Sequence, residues 1–444
     1  MSKCDCNVCR NNHEFENHPD LLSDFATGRV TIFAGSGIST ESRNVLKFTL
    51  YDDVAAELNL AGGPPSFPDL MEQYSAQPNG RLKLLSKIRG RFKHINSFPE
   101  LKKVATRFHR ELSTLYLVNT IVTTNWDMYF EECCAATPFV SDQDLAFWDN
   151  EDRRVLKIHG SINNYGSIVA TASDYSKCQQ RLHSGLIGGI LKGLFATQTI
   201  VFIGYSLSDS DFLNIWKFVS EQMNGLQRQA YVITPFDNER DKIRRLDLIP
   251  IITDGSFFIS QLKEHFISKG LMLPDSIYSE AEELLSIVTE HHNALYEHYN
   301  CSDHPQLIIT ASYQDGMIHA LERVINLRNT GESSQPYRIQ GVFRPYEKWK
   351  KEKLKERKYE DVAYIEGYLN GLLFLLLTEE EKDEFKHPPL YFAFGADIIP
   401  EFKDFKKVIK KLPDLHKSSY LRTKRMVNKL SESEGMVFHH PPWL

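Results

Sequence analysis

No stretch of this sequence stays apolar for the ~18 residues that a membrane-spanning helix needs. The longest candidate, Leu372 to Leu377, is far shorter, so no membrane role is expected. Cysteine is scarce, with seven in 444 residues, and an odd number does not suit a disulfide framework. The first residues, Met1-Ser2-Lys3-Cys4-Asp5-Cys6, are polar and lack the apolar core of a secretory leader. Together these absences point to a reducing, cytoplasmic setting. Charge of one sign is missing too: the net value is −6, which gives no whole-chain reason to expect nucleic acid. The one basic bias is local. From Glu401 onward ten Lys or Arg face five Asp or Glu, but no nucleic-acid motif accompanies them. A solvated helix is expected there, and no direct nucleic-acid binding.

What is present is ordinary for a globular protein, 42% hydrophobic and 25% charged, in a length that suits two or three domains. Near the start, Cys4, Cys6, Cys9 and His13 cluster. They could hold a zinc ion, which takes four S or N ligands, although the spacing is not a usual finger spacing and a reduced tail is the alternative.

The stretch that organises the rest is Val30-Thr31-Ile32-Phe33-Ala34-Gly35-Ser36-Gly37-Ile38-Ser39-Thr40. A β-branched and aromatic run reads as a buried strand. The two glycines after it allow a tight turn and close approach of a ligand. We expect N–H groups at the start of a following helix to offer a phosphate seat. The dinucleotide fingerprint is incomplete, because Thr40 stands where a third glycine belongs.

Further strands are expected at Asn119 to Thr123, Val155 to Ile158, Thr199 to Ile203, Ala230 to Thr234 and Ile251 to Thr253. Between them the residues favour helices. Leu101, Val104, Ala105, Phe108, Leu112 and Leu115 recur at helical spacing, behind an apparent capping box at Ser97-Phe98-Pro99-Glu100. Residues 45–97 read as a helical insertion that could act as a lid. Alternating strands and helices argue a doubly wound parallel sheet, in which ligands sit beyond the carboxyl ends of the strands. Those ends carry Gly35-Ser36-Gly37, Asn125-Trp126-Asp127, His159-Gly160 and Gly204-Tyr205-Ser206. Asn125 and Asp127 could instead cap the helix expected from Met128, and for Asp127 capping and binding weigh evenly; Asp209 sits where a carboxylate favours a helix dipole.

These motifs, in this order, resemble the sirtuin family. Its Gly-Ala-Gly-Ile-Ser corresponds to Gly35-Ser36-Gly37-Ile38-Ser39, its Thr-Gln-Asn-Ile-Asp to Thr123-Thr124-Asn125-Trp126-Asp127, its His-Gly to His159-Gly160, and its Gly-Thr-Ser-Leu to Gly204-Tyr205-Ser206-Leu207. The resemblance covers roughly residues 20–270. It implies a Rossmann-like NAD-binding domain over 19–272, behind a tail at 1–18 and ahead of a smaller mixed α/β domain at 276–444 for assembly or partner binding. It also implies roles: Asn125 and His159 catalytic, Asp127 on the nicotinamide carboxamide, Gly35, Ser36, Gly37 and Ser39 on the diphosphate, and Gly204, Ser206 and Asp209 on the adenosine side.

The departures are informative. Deacylating sirtuins carry two Cys-x-x-Cys pairs between the His-Gly and Gly-Thr-Ser elements, whereas this interval holds only Cys178. Glu41-Ser42-Arg43-Asn44-Val45 replaces their Pro-Asp-Phe-Arg, and no Phe-Gly-Glu follows the histidine. The combination is similar to bacterial sirtuin-like NAD hydrolases of anti-phage defence, including the type paired with a HerA-type hexameric ATPase. It implies NAD as substrate, no catalytic metal, a homo-oligomer and release of nicotinamide. Protein deacylation and a non-catalytic nucleotide-sensing module are the alternatives. In the C-terminal part, helices are expected at Ser276 to Tyr299, Tyr313 to Leu327 and Tyr359 to Leu377, with strands at Tyr337 to Phe343 and Leu390 to Phe394.

Overall fold

In a computed structural model, residues 9–59, 65–205, 210–430 and 437–442 are described. The chain divides into two compact units, one reaching to His265 and including Asn329–Gly331, the other made of Phe266–Arg328 and the residues from Glu332 onward.

The first unit is built on seven parallel strands: β1 (Val30–Ala34), β2 (Thr120–Thr123), β3 (Thr137–Phe139), β4 (Arg154–Lys157), β5 (Thr199–Ile203), β6 (Ala230–Thr234) and β7 (Ile249–Ile252). Their order in the sheet is β3-β4-β2-β1-β5-β6-β7. β1 pairs with β2 on one side and β5 on the other, Phe33 lying beside Val122 and Phe202. The chain therefore winds first one way and then the other from β1, and a crevice opens between the ends of its neighbours. β1, β5 and β6 are buried along their whole length, which explains their unbroken apolar sequences. β3 escapes the sequence pattern because it is short and contains Pro138. Without an N–H, proline fits an edge strand, and β3 is an edge.

The helices of this unit are α1 (Pro19–Ala26), α2 (Leu50–Leu58), α3 (Phe67–Ser75), α4 (Gly80–Ser97), α5 (Pro99–Ala105), α6 (Arg107–Ser113), α7 (Tyr129–Cys134), α8 (Ala172–Ser184), α9 (Leu186–Thr197), α10 (Ser210–Met223), α11 (Arg240–Arg245) and α12 (Gly255–Ser268), which crosses the division. Three expectations need correction. The helix foreseen from residue 45 begins at Leu50, where Thr49 and Asp52 form a reciprocal capping box. Ser97 is not a cap: it ends α4, and its hydroxyl donates to the Lys93 carbonyl. The single helix foreseen after it is two, separated at Thr106. Helices α2, α3 and α4 do form the insertion, and Leu50, Val54, Leu70, Met71, Leu84 and Ile88 join Ile168 and Ala170, from the chain ahead of α8, in one apolar cluster.

The second unit is helical, with α13 (Ser276–His298), α14 (Leu307–Asn326), α15 (Pro336–Lys355), α16 (Tyr359–Leu375) and shorter segments. Its sheet content is one antiparallel hairpin, β8 (Tyr391–Ala393) with β9 (Ala396–Ile399). The strand expected at Tyr337 to Phe343 lies inside α15; Pro336 at the helix start sets the backbone for a first turn. α14 and α16 pack closely enough that a Cβ on Gly316 would lie 2.0 Å from the Tyr364 carbonyl, and one on Gly367 would lie 1.8 Å from that of Tyr313. Among the described residues, no helix is long and apolar enough to cross a membrane.

Candidate functional site

The turns that follow β1 and β5 are built against each other. The Gly35 N–H donates to Ile203 O at 2.9 Å, and the Gly37 N–H to Gly204 O at 3.1 Å. A Cβ on Gly35 would sit 2.4 Å from the Gly204 oxygen. Gly204 itself has φ +62° and is crowded by Ile38, so a side chain is excluded by conformation and by space. The turn after β1 is a short 3-10 segment, Ser36–Ile38, and the next α-helix starts only at Leu50. The expected helix N-terminus is therefore absent from this position. The Gly37 and Ser39 N–H groups are already used, the latter by Ser36 O.

β2 delivers the second element. The Thr123 hydroxyl donates to Ala34 O at 2.9 Å and accepts the Asn125 N–H at 3.0 Å, which tethers this strand end to β1. The Asn125 amide nitrogen donates to Gly35 O (3.2 Å) and to Ser39 Oγ (3.3 Å). Ser39 Oγ donates onward to Asp127 Oδ2 at 2.9 Å. The other oxygen of Asp127 accepts the Tyr129 N–H at the start of α7. With both amide hydrogens turned inward, Asn125 Oδ1 is buried and has no hydrogen-bond partner. Leaving such an acceptor unmet is costly. An ordered water or a ligand hydroxyl at this position would supply the donor.

β4 ends at Lys157, and His159 follows it. The His159 ring is buried and meets Tyr175 of α8 edge-on, with ring centres 4.9 Å apart. Gly160 has φ +86° and lies so close to the Ser167 carbonyl that a Cβ would clash at 2.1 Å. The histidine thus stands at the head of a turn that only glycine completes. Below it, Lys157 is buried and donates to Glu131 at 2.8 Å and to the Asp127 carbonyl.

A cavity of about 1410 Å³ opens over these strand ends, larger than the about 300–1,000 Å³ typical of a small-molecule site. Gly35, Ser36, Gly37, Asn125, His159 and Gly204 line it. Ser39 and Asp127 do not: both are buried beneath it and bonded to each other. Asp127, expected on a carboxamide, here orders the floor. Ser206 and Asp209 lie outside the described residues, as do Cys4 and Cys6 of the proposed zinc cluster. The interval 161–198 holds α8 and α9, and Cys178 within it is buried with its thiol toward Ile158 O.

The far wall was not foreseen in residues. Tyr51, Phe67, Arg91 and Phe92 come from the insertion, and Arg107, Asp254 and Phe236 from elsewhere in the unit. Arg91 pairs with Glu41 at 2.9 Å and donates to the carbonyls of Thr40 and Phe48, pinning the loop after the glycine turn. Burial raises the Glu41 carboxyl above its ordinary range, against the pull of Arg91. Arg107 pairs with Asp254 at 2.8 Å just beyond β7. Thr253-Asp254-Gly255 is the kind of strand end that could have been read in advance.

Residues 119–251 match the model of the SIR2-like domain. This segment runs from β2 into β7 and includes Asn125, His159 and Gly204. The chain is 30% identical over 213 residues to the NAD(+) hydrolase ThsA of Enterococcus faecium, covering 46% of this chain and 43% of that protein. It is 29% identical over 200 residues to the protein of that name from Cytobacillus dafuensis, covering 43% and 38%. It is 22% identical over 301 residues to Defense-associated sirtuin 2 of Bacillus subtilis, covering 60% and 29%. The chain thus spans less than half the length of each of these relatives.

Proposed function

We propose that the chain hydrolyses NAD⁺ to nicotinamide and ADP-ribose, and so depletes cellular NAD as the effector of an anti-phage defence complex. The observation that carries this reading is the unmet Asn125 Oδ1, held by its own amide at the cavity floor, with His159 also lining that cavity. The names of the relatives, two of them NAD(+) hydrolases and one a defence-associated sirtuin, support the same reading.

The chemistry suits these groups. Nicotinamide leaves NAD⁺ as a neutral molecule, so the leaving group needs no acid. The C1′–N bond breaks with its electron pair on nicotinamide, the ribose develops oxocarbenium character, and a water oxygen forms the new bond at C1′. Asn125 Oδ1 accepts a hydrogen bond from that water or from a ribose hydroxyl. His159 takes up the proton, as imidazole can near neutral pH. The glycine turns leave room for the diphosphate. The insertion acts as a lid. In the same reading, residues 276–444 carry self-assembly and the contact to a HerA-type hexameric ATPase.

The test is nicotinamide release from NAD⁺ by the purified chain, alone and with the product of a neighbouring gene. Asn125→Ala and His159→Ala should each lower turnover by roughly 100-fold or more while the protein stays folded. Unchanged turnover in either variant overturns its assignment. Turnover only with acylated peptide, giving O-acyl-ADP-ribose, would instead mean deacylation.

A further inference from the structure

The second unit holds a polar cluster with no part in this chemistry. α13 supplies His292, α14 supplies Asp315, and the extended segment 437–442 supplies His439. His292 and Asp315 are both almost wholly buried. Neither ring nitrogen of His292 has a hydrogen-bond partner of normal geometry. Its neighbour His291 is bonded to the Tyr391 hydroxyl at 2.7 Å, so the unmet ring is the one facing Asp315. Asp315 Oδ1 lies 3.9 Å from His292 Nε2 and 3.1 Å from His439 Nδ1.

We propose that His292, Asp315 and His439 bind one divalent ion of the zinc class, which fastens the segment 437–442 to the helical unit. Two imidazoles and one carboxylate are a donor set that Zn²⁺ accepts. Zinc bonds of about 2.0–2.1 Å in tetrahedral array separate ligand atoms by roughly 3.3 Å. The three ligand atoms here all lie within 4.8 Å of one another. The movement required falls to His439, whose side chain is 59% exposed. Its ring now stacks on that of His292 with centres 5.1 Å apart and must swing so that its lone pair meets the ion. An ordinary imidazole–carboxylate pair accounts for His439 and Asp315 but leaves His292 buried without a hydrogen bond of normal geometry, with the Gln314 side chain as its other polar neighbour. A single ion satisfies all three.

The surroundings hold the site in place. Asp315 Oδ2 accepts the His440 N–H at 2.6 Å. The His440 ring stacks on Tyr364, and its Nε2 meets Asp361 at 3.0 Å. The close α14–α16 contact at Gly316 fixes the backbone beside Asp315.

The experiment uses the full chain with Cys4, Cys6 and Cys9 changed to Ser, which removes the clustered N-terminal thiols and leaves Cys133, Cys134, Cys178 and Cys301. After chelator treatment, Zn²⁺ is titrated by calorimetry and the melting temperature is followed. One equivalent per chain should bind and raise the melting temperature. His439→Ala, at an exposed position, and the near-isosteric Asp315→Asn should each weaken binding at least tenfold. Co²⁺ should give a visible spectrum of nitrogen and oxygen ligation with no thiolate band. Failure of the triple-Ser chain to bind stoichiometrically, or undiminished binding by His439→Ala, overturns the proposal. Neither result depends on NAD hydrolysis.

Discussion

Ser39 and Asp127, 88 residues apart in the chain, share a hydrogen bond of 2.9 Å, and through it the turn after β1 fixes the side chain that follows β2. Asn125 completes the link by donating to the same hydroxyl. The orientation of Asn125 is therefore set in part by Ser39 and Asp127, which do not line the cavity, beside the Gly35 carbonyl, which does.

Ser39→Ala removes both the donor to Asp127 and the acceptor for Asn125. Turnover of NAD⁺ should fall roughly 10- to 100-fold, as for a misplaced reacting group, with KM little changed. Ser39→Thr keeps the hydroxyl and should restore most of it. Steady-state kinetics of both variants give the answer. A KM effect with kcat intact would mean that Ser39 binds substrate directly.

Lys157 has 1% of its side chain exposed, and its partner Glu131 has 10%. Burial pushes the Glu131 carboxyl up, and Lys157 pulls it down. Lys157→Met strands that carboxyl and should cost about 3–5 kcal/mol of stability. Adding Glu131→Gln should recover a large part. Urea unfolding of the two variants measures this; a loss under about 1 kcal/mol for Lys157→Met would contradict the pairing.

His109 is fully buried among Phe108, Tyr129 and Phe130. Burial lowers its pKa to about 4, with Asp127 opposing and Lys157 reinforcing. The unfolded chain takes up this proton near pH 6.5 and the folded chain only near 4. Between those values the unfolded state binds more protons, so stability falls as the pH falls. The loss should approach about 3 kcal/mol at the acid end. His109→Leu should flatten the stability profile between pH 7 and 4, and an unchanged slope would remove His109 as its source.

Much of the first unit was legible because its signals are local. β1, β2, β4, β5, β6 and β7 are short apolar runs, most ending in glycine or a polar residue, and a parallel sheet buries such runs on both faces. β3 was not, because three residues with a proline carry no periodicity. Asn125, His159 and the glycines could be placed at strand ends from pattern alone. The inward turn of Asp127 could not, since it depends on Ser39 across the sheet. The insertion's contribution was equally hidden: Tyr51, Phe67 and Arg91 reach the cavity through tertiary packing that no spacing records. In the second unit, α15 was misread at Tyr337 to Phe343 because a short mixed run fits strand or helix alike.

The back-to-back glycine turns have a consequence for how this sequence can vary. A Cβ on Gly35 would meet both the Gly204 oxygen and the Tyr205 Cα, at 2.4 and 2.8 Å. The loops after β1 and β5 are thus one unit for substitution, although more than 160 residues separate them. Lengthening or re-aiming either loop alone would collide with the other, so new ligand preferences in this half of the cavity would have to be sought in paired libraries. The wall formed by α2, α3 and α4 meets the turn after β1 through the Arg91 side chain, so cavity-facing side chains such as Tyr51 and Phe67 are where single changes can be accommodated.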